Sequence, residues 1–355
     1  MVVIDRGVLH KGLLSSRQAL FRPTPDPLRG IFTSNGLRLV QEGYLVVWED
    51  LSLVSSNGTG GEFSVDGSDL YSVVSSTSSE NVELKLNEKS LGVKYGNSSL
   101  RIPFIATFGE IPDIPTIVSS VSLPSDFMAA LSEAPKFLSR TEDKPSLSCV
   151  YIKHEENVVM LFATNGIVMF FASFDVEETA DTEYLLPVQT VASISKVFGR
   201  KDVRLGVSDK GHIYISDGST AITTPGFNGA YPVRALELMR DEDSPLFTVD
   251  KKELVGLLKL GMDVSEGERV AISHERRGQS STINLTFHET RLEADLCLDS
   301  AEDTSPFEQF HLNPRFLLTC LAPLGEQVMF RKNSIGAIRI SDGKTVSLLH
   351  KLLVY

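Results

Sequence analysis

Short runs of alternating apolar and polar residues fill most of the chain, and six stretches with apolar residues three and four apart interrupt them. The runs predict strands. The six stretches predict helices near 7–22, 66–79, 125–140, 187–201, 251–260 and 313–325. One hexapeptide stands out in the strand pattern: Ile-Ser-Asp-Gly-Ser-Thr at 215–220 returns as Ile-Ser-Asp-Gly-Lys-Thr at 340–345. Around the second copy, Ala337-Ile338-Arg339-Ile340 and Val346-Ser347-Leu348-Leu349 read as two strands, which makes Asp342-Gly343 a hairpin turn. Gly343-Lys344-Thr345 also matches the end of a phosphate-binding loop. That reading fails, because the position five residues before Gly343 is Ile338 rather than glycine and no helix follows to complete an anion site.

The likeness extends far beyond the hexapeptide. Residues 187–223 and 314–348 both open on a proline suited to a first helical turn, continue as a short helix, and pass through a strand around Val203 or Val328 to a second strand and the Asp-Gly turn. Residues 66–104 form a third copy. Val82 precedes Val203 by 121 residues and Val203 precedes Val328 by 125; Gly96, Gly218 and Gly343 are spaced by 122 and 125. The other half of the period repeats more faintly, as a strand-to-helix passage at Ile4–Leu9, Leu123–Met128 and Val249–Leu254. In the last of these, Asp250 and Glu253 form a capping-box pattern. The unit is thus about 120 residues, present three times, with boundaries near Pro112–Thr116 and Asp241–Ser244. We expect domains at 1–116, 117–242 and 243–355. Each is an α+β unit of two helices packed on antiparallel sheets. The period is a whole domain, so this is no stacked solenoid.

Charge sharpens the picture. The net charge is −12, which argues against a simple basic nucleic-acid binder, yet the six predicted helices together carry +7 and leave −19 for the rest. Such a surface would repel nucleic acid generally and tolerate it along one side. No run of about 18 apolar residues indicates a membrane span, and the N-terminal sequence is not a signal peptide. Three scattered cysteines, Cys149, Cys297 and Cys320, fit buried free thiols in a reducing cytoplasm. The seven histidines show no metal spacing with them, so no metal and no cofactor is expected. The adjacent carboxylates Glu155-Glu156, Glu177-Glu178 and Asp241-Glu242-Asp243 read as solvated loops, not as acid–base pairs. Trp48 is expected in the core of the first domain. No catalytic residue emerges.

Several stretches, in order, resemble the bacterial sliding clamp family, the DNA polymerase III beta subunit. Ala163-Thr164-Asn165-Gly166 resembles its Ala-Thr-Asp-Gly, Phe227–Pro232 its segment before the third domain, Leu312–Leu317 its Leu-Asn-Pro helix start, and Phe21–Thr24 its Arg-Pro-Thr. Two departures are visible: a basic pair of the family is replaced by Ile167-Val168-Met169, and the tail reads His350–Tyr355. So divergent a copy would suit a bacteriophage or another mobile element. The resemblance implies a head-to-tail homodimer forming a closed ring, helices inside and sheets outside, holding double-stranded DNA and serving a DNA polymerase and a clamp loader in the cytoplasm. It is no enzyme in that family. The expected DNA-facing residues are Lys11, Arg17, Arg22, Lys136, Arg140, Lys144, Lys196, Arg200, Lys201, Lys251 and Lys252. Of these, Arg22 and Lys144 rest on the resemblance and the others on helix placement. The partner-peptide groove would comprise Thr164, Gly166, Ile167, Val168, Met169, Pro232, Leu236, Ile335, His350, Lys351 and Leu352. For Ile167, Val168 and Met169 a plain buried strand is the competing reading. The dimer seam would involve Leu100 and Ile102 on one chain and Leu257, Leu258 and Leu260 on the other. Two rival functions stand beside the clamp: a clamp-like decoy that binds clamp partners without encircling DNA, and an enzyme of which only the scaffold is legible.

Overall fold

The computed structural model describes residues 1–18, 27–33, 36–43, 45–56, 60–106, 110–141, 144–232, 243–264, 268–277, 280–287, 292–298, 307, 309–333, 336–343 and 345–349. Six α-helices lie among them: α1 (Arg6–Gln18), α2 (Gly67–Ser76), α3 (Ser125–Glu133), α4 (Val188–Phe198), α5 (Lys251–Val264) and α6 (Pro314–Leu321). They match the six helical stretches of the sequence, with ends moved for identifiable reasons. α3 gives way at Glu133 to a 3-10 turn, Ala134–Phe137, where Pro135 has no N–H to continue an α-helix. α4 stops at Phe198 because Gly199 turns left-handed at φ +59. Arg200 and Lys201, expected on the helix, therefore lie beyond it.

Every described strand pair is antiparallel, and the strands form four sheets. The first runs β5 (Ser55–Ser56), β1 (Val2–Asp5), β7 (Asn81–Leu86), β8 (Ser90–Tyr95), β9 (Ser98–Pro103). The second runs β10 (Ile117–Leu123), β13 (Val203–Ser208), β14 (Ile213–Ser216), β15 (Thr220–Thr224), β4 (Val46–Ser52), β3 (Gly36–Glu42), β2 (Pro27–Phe32), β6 (Glu62–Asp66). The third runs β11 (Cys149–Thr164), β12 (Val168–Pro187), β23 (Thr345–Leu349), β22 (Ile338–Ser341), β21 (Gln327–Asn333), β16 (Asp243–Asp250). The fourth runs β19 (Leu292–Leu298), β18 (Ser280–Phe287), β17 (Val270–Arg277), β20 (Phe310–Leu312). Two compact units hold these sheets. One takes 1–132, 176–180 and 189–226; the other takes 133–175, 181–188 and 227–355.

The sequence repeat is visible as a repeated strand block. The orders β1-β7-β8-β9, β10-β13-β14-β15 and β16-β21-β22-β23 are the same four-strand meander three times. In each, the strand that leads into a helix pairs with the strand carrying the recurrent valine: Ile4 with Val82, Leu123 with Val203, Val249 with Val328. The helix starts repeat as well. The Arg6 N–H donates to Glu80 O at 2.8 Å and the Lys251 N–H to Glu326 O at 2.7 Å, while in the middle copy the Ser125 N–H donates to Asp202 Oδ1 at 2.8 Å. Asp5 Oδ1 accepts the Val8 N–H and Asp250 Oδ1 the Glu253 N–H, both at 2.9 Å. Both are N-caps; the one at Asp250 was expected from its capping-box pattern, and the one at Asp5 was not.

The two hexapeptides are the turns expected of them. Gly218 and Gly343 both take φ +92, a left-handed conformation that favours glycine. In each turn one aspartate oxygen accepts N–H groups of the turn itself, Thr220 N to Asp217 Oδ1 at 2.8 Å and Thr345 N to Asp342 Oδ1 at 2.7 Å. The other oxygen reaches back to the loop after the preceding helix. Asp217 Oδ2 binds the Lys201 ammonium, and Asp342 Oδ2 accepts the Gly325 N–H at 2.7 Å. The hexapeptide recurs because its aspartate ties hairpin to helix in two repeats.

The cores are sheet against helix. In the first unit Ile4, Val82 and Leu84 meet Leu9 and Leu13 of α1 and Leu70 and Val74 of α2.

Candidate functional site

Terminal strands of two meanders are extended by strands from another part of the chain. β15 pairs with β4 in the first unit, hereafter seam 1, and β23 pairs with β12 in the second, seam 2. In the remaining meander, β1-β7-β8-β9, β9 has β8 as its single neighbour among the described residues, and β19, the last strand of the order β20-β17-β18-β19, likewise has β18 alone. That order copies β6-β2-β3-β4, whose last strand receives β15.

Seam 2 holds one continuous stretch of the expected groove residues, Thr164 and Gly166 to Met169. The Ala-Thr-Asn-Gly stretch links β11 to β12 as a side-chain-braced turn. Thr164 Oγ1 donates to Val168 O at 2.7 Å and accepts the Gly166 N–H at 3.0 Å, while Asn165 Oδ1 accepts the N–H groups of Ile167 and Val168 at 2.9 and 3.0 Å. Gly166 takes φ +90. The turn presents Ile167 to solvent, 46% exposed, and buries Val168 and Met169. The plain-strand reading therefore fits Val168 and Met169, and it does not fit the exposed Ile167.

Met169 belongs to a buried cluster with Cys149, Tyr151, Phe162, Leu185, Tyr231 and Ala337, flanked by half-buried Met160, Phe171 and Val346. Tyr151 stacks on Tyr231, centroids 4.7 Å apart and 8° from parallel, and donates its hydroxyl to Glu183 Oε2 at 2.7 Å. Burial raises both phenols above their ordinary pKa and pushes the Cys149 thiol up to about 11. None of the three ionises near neutrality, so the cluster stays uncharged and apolar. Cys149 and Cys320 are free and buried. Pro232 is exposed beside Tyr231. Leu236, Ile335, His350, Lys351 and Leu352 lie outside the described residues. The aromatic members Tyr151, Phe162 and Phe171 went unnoticed in the sequence, although their alternation along β11 and β12 was the available signal.

The expected DNA-facing cations divide into two groups. Lys11, Arg17, Lys136, Arg140, Lys144, Lys196, Arg200 and Lys252 are exposed. Arg17 lies over the Tyr71 ring at 4.8 Å, and Lys136 pairs with Glu133. Lys201 and Lys251 are structural instead. Lys201 is bound to Asp217. Although burial pushes the other way, that ammonium and the N–H groups of the turn hold the Asp217 carboxyl below its ordinary range. Lys251 Nζ donates to Leu324 O and to Ala322 O, capping the carbonyls at the end of α6. Arg22 lies outside the described residues.

On the expected dimer seam, Leu100 is half-buried on β9 and Ile102 is in the core of its own unit. On α5 Leu258 is fully buried, Leu257 half-buried and Leu260 56% exposed. Val264, one turn on from Leu260 and equally exposed, extends that face and was missed in the sequence.

Two other expectations need correction. Glu155-Glu156 and Glu177-Glu178 sit within β11 and β12 rather than in loops, although Glu156 does take a left-handed φ of +55. Trp48 is buried, but in a cluster with Val40 and Ala221 at seam 1 rather than in the helix-facing core of the first unit. Among the described residues no three or more His, Cys, Asp or Glu gather where they could hold a metal, and no helix is long and apolar enough to cross a membrane.

Residues 123–233 match the family model described as DNA polymerase III beta subunit, central domain. No curated protein matches the chain by sequence. Among solved structures, the chain is similar over 99% of both lengths to the DNA polymerase sliding clamp of Bacillus subtilis, with a TM-score of 0.82 and 14% identity. It is similar to the DNA polymerase III subunit beta of Pseudomonas aeruginosa at TM-score 0.82 and 16% identity, covering 99% of this chain and 100% of that one. The Helicobacter pylori beta clamp bound to a DNA ligase peptide matches at TM-score 0.80 and 17% identity over 99% of both chains. The expected resemblance holds for the fold over the whole chain and for the family model over its middle third.

Proposed function

We propose that this chain, which has the fold of the bacterial beta clamps and a middle segment matching the central domain of the DNA polymerase III beta subunit, is a DNA sliding clamp. In this reading 1–116, 117–242 and 243–355 are three clamp domains, and two chains close a six-domain ring around duplex DNA. The observation that carries it is the unequal use of seams. Among the described residues, two meanders find their partner strand within the chain, and another ends on β9 with β8 as its one neighbour while β19 offers a matching edge. Pairing β9 of one chain with β19 of another satisfies both edges and, repeated twice, closes the assembly head to tail. Leu257, Leu260 and Val264 would pack beside that join.

Such a ring holds DNA by topology, so it needs no tight phosphate contacts, and a net charge of −12 is compatible with exposed cations on its inner helices. Lys11, Arg17, Lys136, Lys196, Arg200 and Lys252 are described candidates on or next to helices. The partner role follows the same reading. A polymerase or a clamp loader would insert apolar side chains beside Ile167, as one relative binds a DNA ligase peptide. Tethering raises the polymerase's effective concentration at the primer and requires no chemistry of the clamp. A cytoplasmic location, in a bacterium or in a phage-infected cell, belongs to this proposal.

The test is retention on circular duplex DNA. A clamp loaded on a closed circle is expected to stay and to be lost when the circle is cut. Equal retention on circle and line overturns the ring. Capture of a polymerase peptide without any retention fits the clamp-like decoy instead.

A further inference from the structure

Seam 1 buries an acid. Glu49 on β4 is 4% exposed and stands opposite Thr220 of β15 in the register of the seam. Thr220 Oγ1 donates to Glu49 Oε2 at 2.9 Å, whereas Oε1 is buried without a hydrogen-bond partner of normal geometry. The groups around it are few. Asp217 acts on it from the turn before β15, and Lys201 from the loop after α4. α1 contributes the Ser15 hydroxyl, which also donates to Lys11 O at 3.2 Å. β3 contributes Leu39, which pairs with Glu49 and is fully buried. The nearby cation is already bound to Asp217. An ionised Glu49 would therefore be desolvated beside a second carboxylate with no cation of its own, while a neutral carboxyl would suffer neither penalty.

We propose that Glu49 is a proton-operated latch on seam 1: the neutral carboxyl holds β4 against β15, and its ionisation loosens that one join.

Burial, with a smaller contribution from Asp217 and opposed by Thr220, Ser15 and Lys201, pushes the carboxyl up to about 7 from an ordinary 4.5. Opening the seam to water returns Glu49 toward the ordinary value. Between those limits the closed form holds more protons than the open one. The latch is therefore fully set below about pH 4.5, is lost as the pH rises to about 7, and changes no further above that.

Amide hydrogen exchange on the full chain between pH 5 and 8.5, corrected for the intrinsic pH dependence of exchange, tests this. The probes are the β15 amides and the Asp50 N–H, which donates to Ser219 O at 3.0 Å. Their protection is expected to fall by more than about tenfold from pH 5 to 7 and then to level off, since one pKa unit of coupling is tenfold in an equilibrium. Amides of the β12–β23 seam serve as the control and should show no such step. Glu49→Gln is expected to abolish the fall. A flat wild-type profile, an equal fall at seam 2, or a Glu49→Gln profile that keeps the step each overturns the latch. If Glu49→Gln does not fold, the wild-type profile read against seam 2 decides.

Discussion

Seams 1 and 2 are the same join made twice and finished differently. In both, the last strand of a meander pairs with the strand that follows a hairpin, and the register is equivalent: Ala221 faces Trp48, and Val346, 125 residues later, faces Phe171. At seam 1 the following chain folds back over the join. Trp48 Nε1 donates to Pro112 O at 2.8 Å, Arg29 Nη1 to Glu110 O at 2.9 Å, and Ile111 and Ile114 pack on the Val40–Trp48–Ala221 cluster. At seam 2 the equivalent of Trp48 is Phe171, whose ring has no N–H to tie a strap and which remains half-buried at the edge of an aromatic cluster that includes Tyr231. Among the described residues, one join is sealed by a strap of its own chain, while beside the other Ile167 stays exposed, an apolar side chain of the kind a surface needs to take side chains from a partner.

Replacing Trp48 by Ala should give the largest effect. Loss of a buried indole and its hydrogen bond is expected to cost roughly 3–5 kcal/mol in denaturant unfolding, whereas Phe171→Ala, half-buried from the start, should cost roughly half as much. Equal losses would erase the contrast between the seams. Lys201→Ala should come next, at about 1–2 kcal/mol, because it strips Asp217 of a partner at a join only partly open to solvent. Lys196→Ala, exposed and unneeded by the fold, should change stability by less than about 0.5 kcal/mol. On the clamp reading, reversal of Lys196 and Arg200 to Glu should instead shorten retention on circular DNA and leave the mass of the proposed dimer unchanged in light scattering. Gly218→Ala and Gly343→Ala should each cost about 1 kcal/mol, since a left-handed φ of +92 disfavours any Cβ equally at both turns. Smallest in stability is Ile167→Ser, within about 0.5 kcal/mol. Its effect should appear in binding, as roughly a tenfold loss of affinity for a polymerase-derived peptide on loss of one apolar anchor. Unchanged affinity would move the docking site away from the seam 2 rim.

What was readable in the sequence was local. The Asp-Gly turns, the N-cap at Asp250, the recurrent valines and six helices all depend on neighbours within a few positions, and all six helices were recognised from them. Helix ends were misplaced where a single backbone-restricting residue intervened, at Pro135 and Gly199. The pairing of Lys201 with Asp217 and of Lys251 with the carbonyls after α6 joins residues 16 or more positions apart. Spacing on a helix carries no record of such partners, so both lysines read as free cations. Trp48 was rightly taken as buried and wrongly placed, because its neighbour Ala221 comes from the next repeat. The three-fold period itself was legible only because turn glycines and strand valines cannot drift without breaking hairpins.

The way the second and third repeats each lend a strand to the one before has a consequence for how the chain comes apart. Cutting near residue 116 or 242 would separate three tidy lengths of sequence, yet it would orphan β15 from β4 and β23 from β12. Isolated thirds would expose raw sheet edges and associate with one another. Melting should follow the two compact units rather than the repeats, as two cooperative steps in place of three, and the middle third should have no transition of its own.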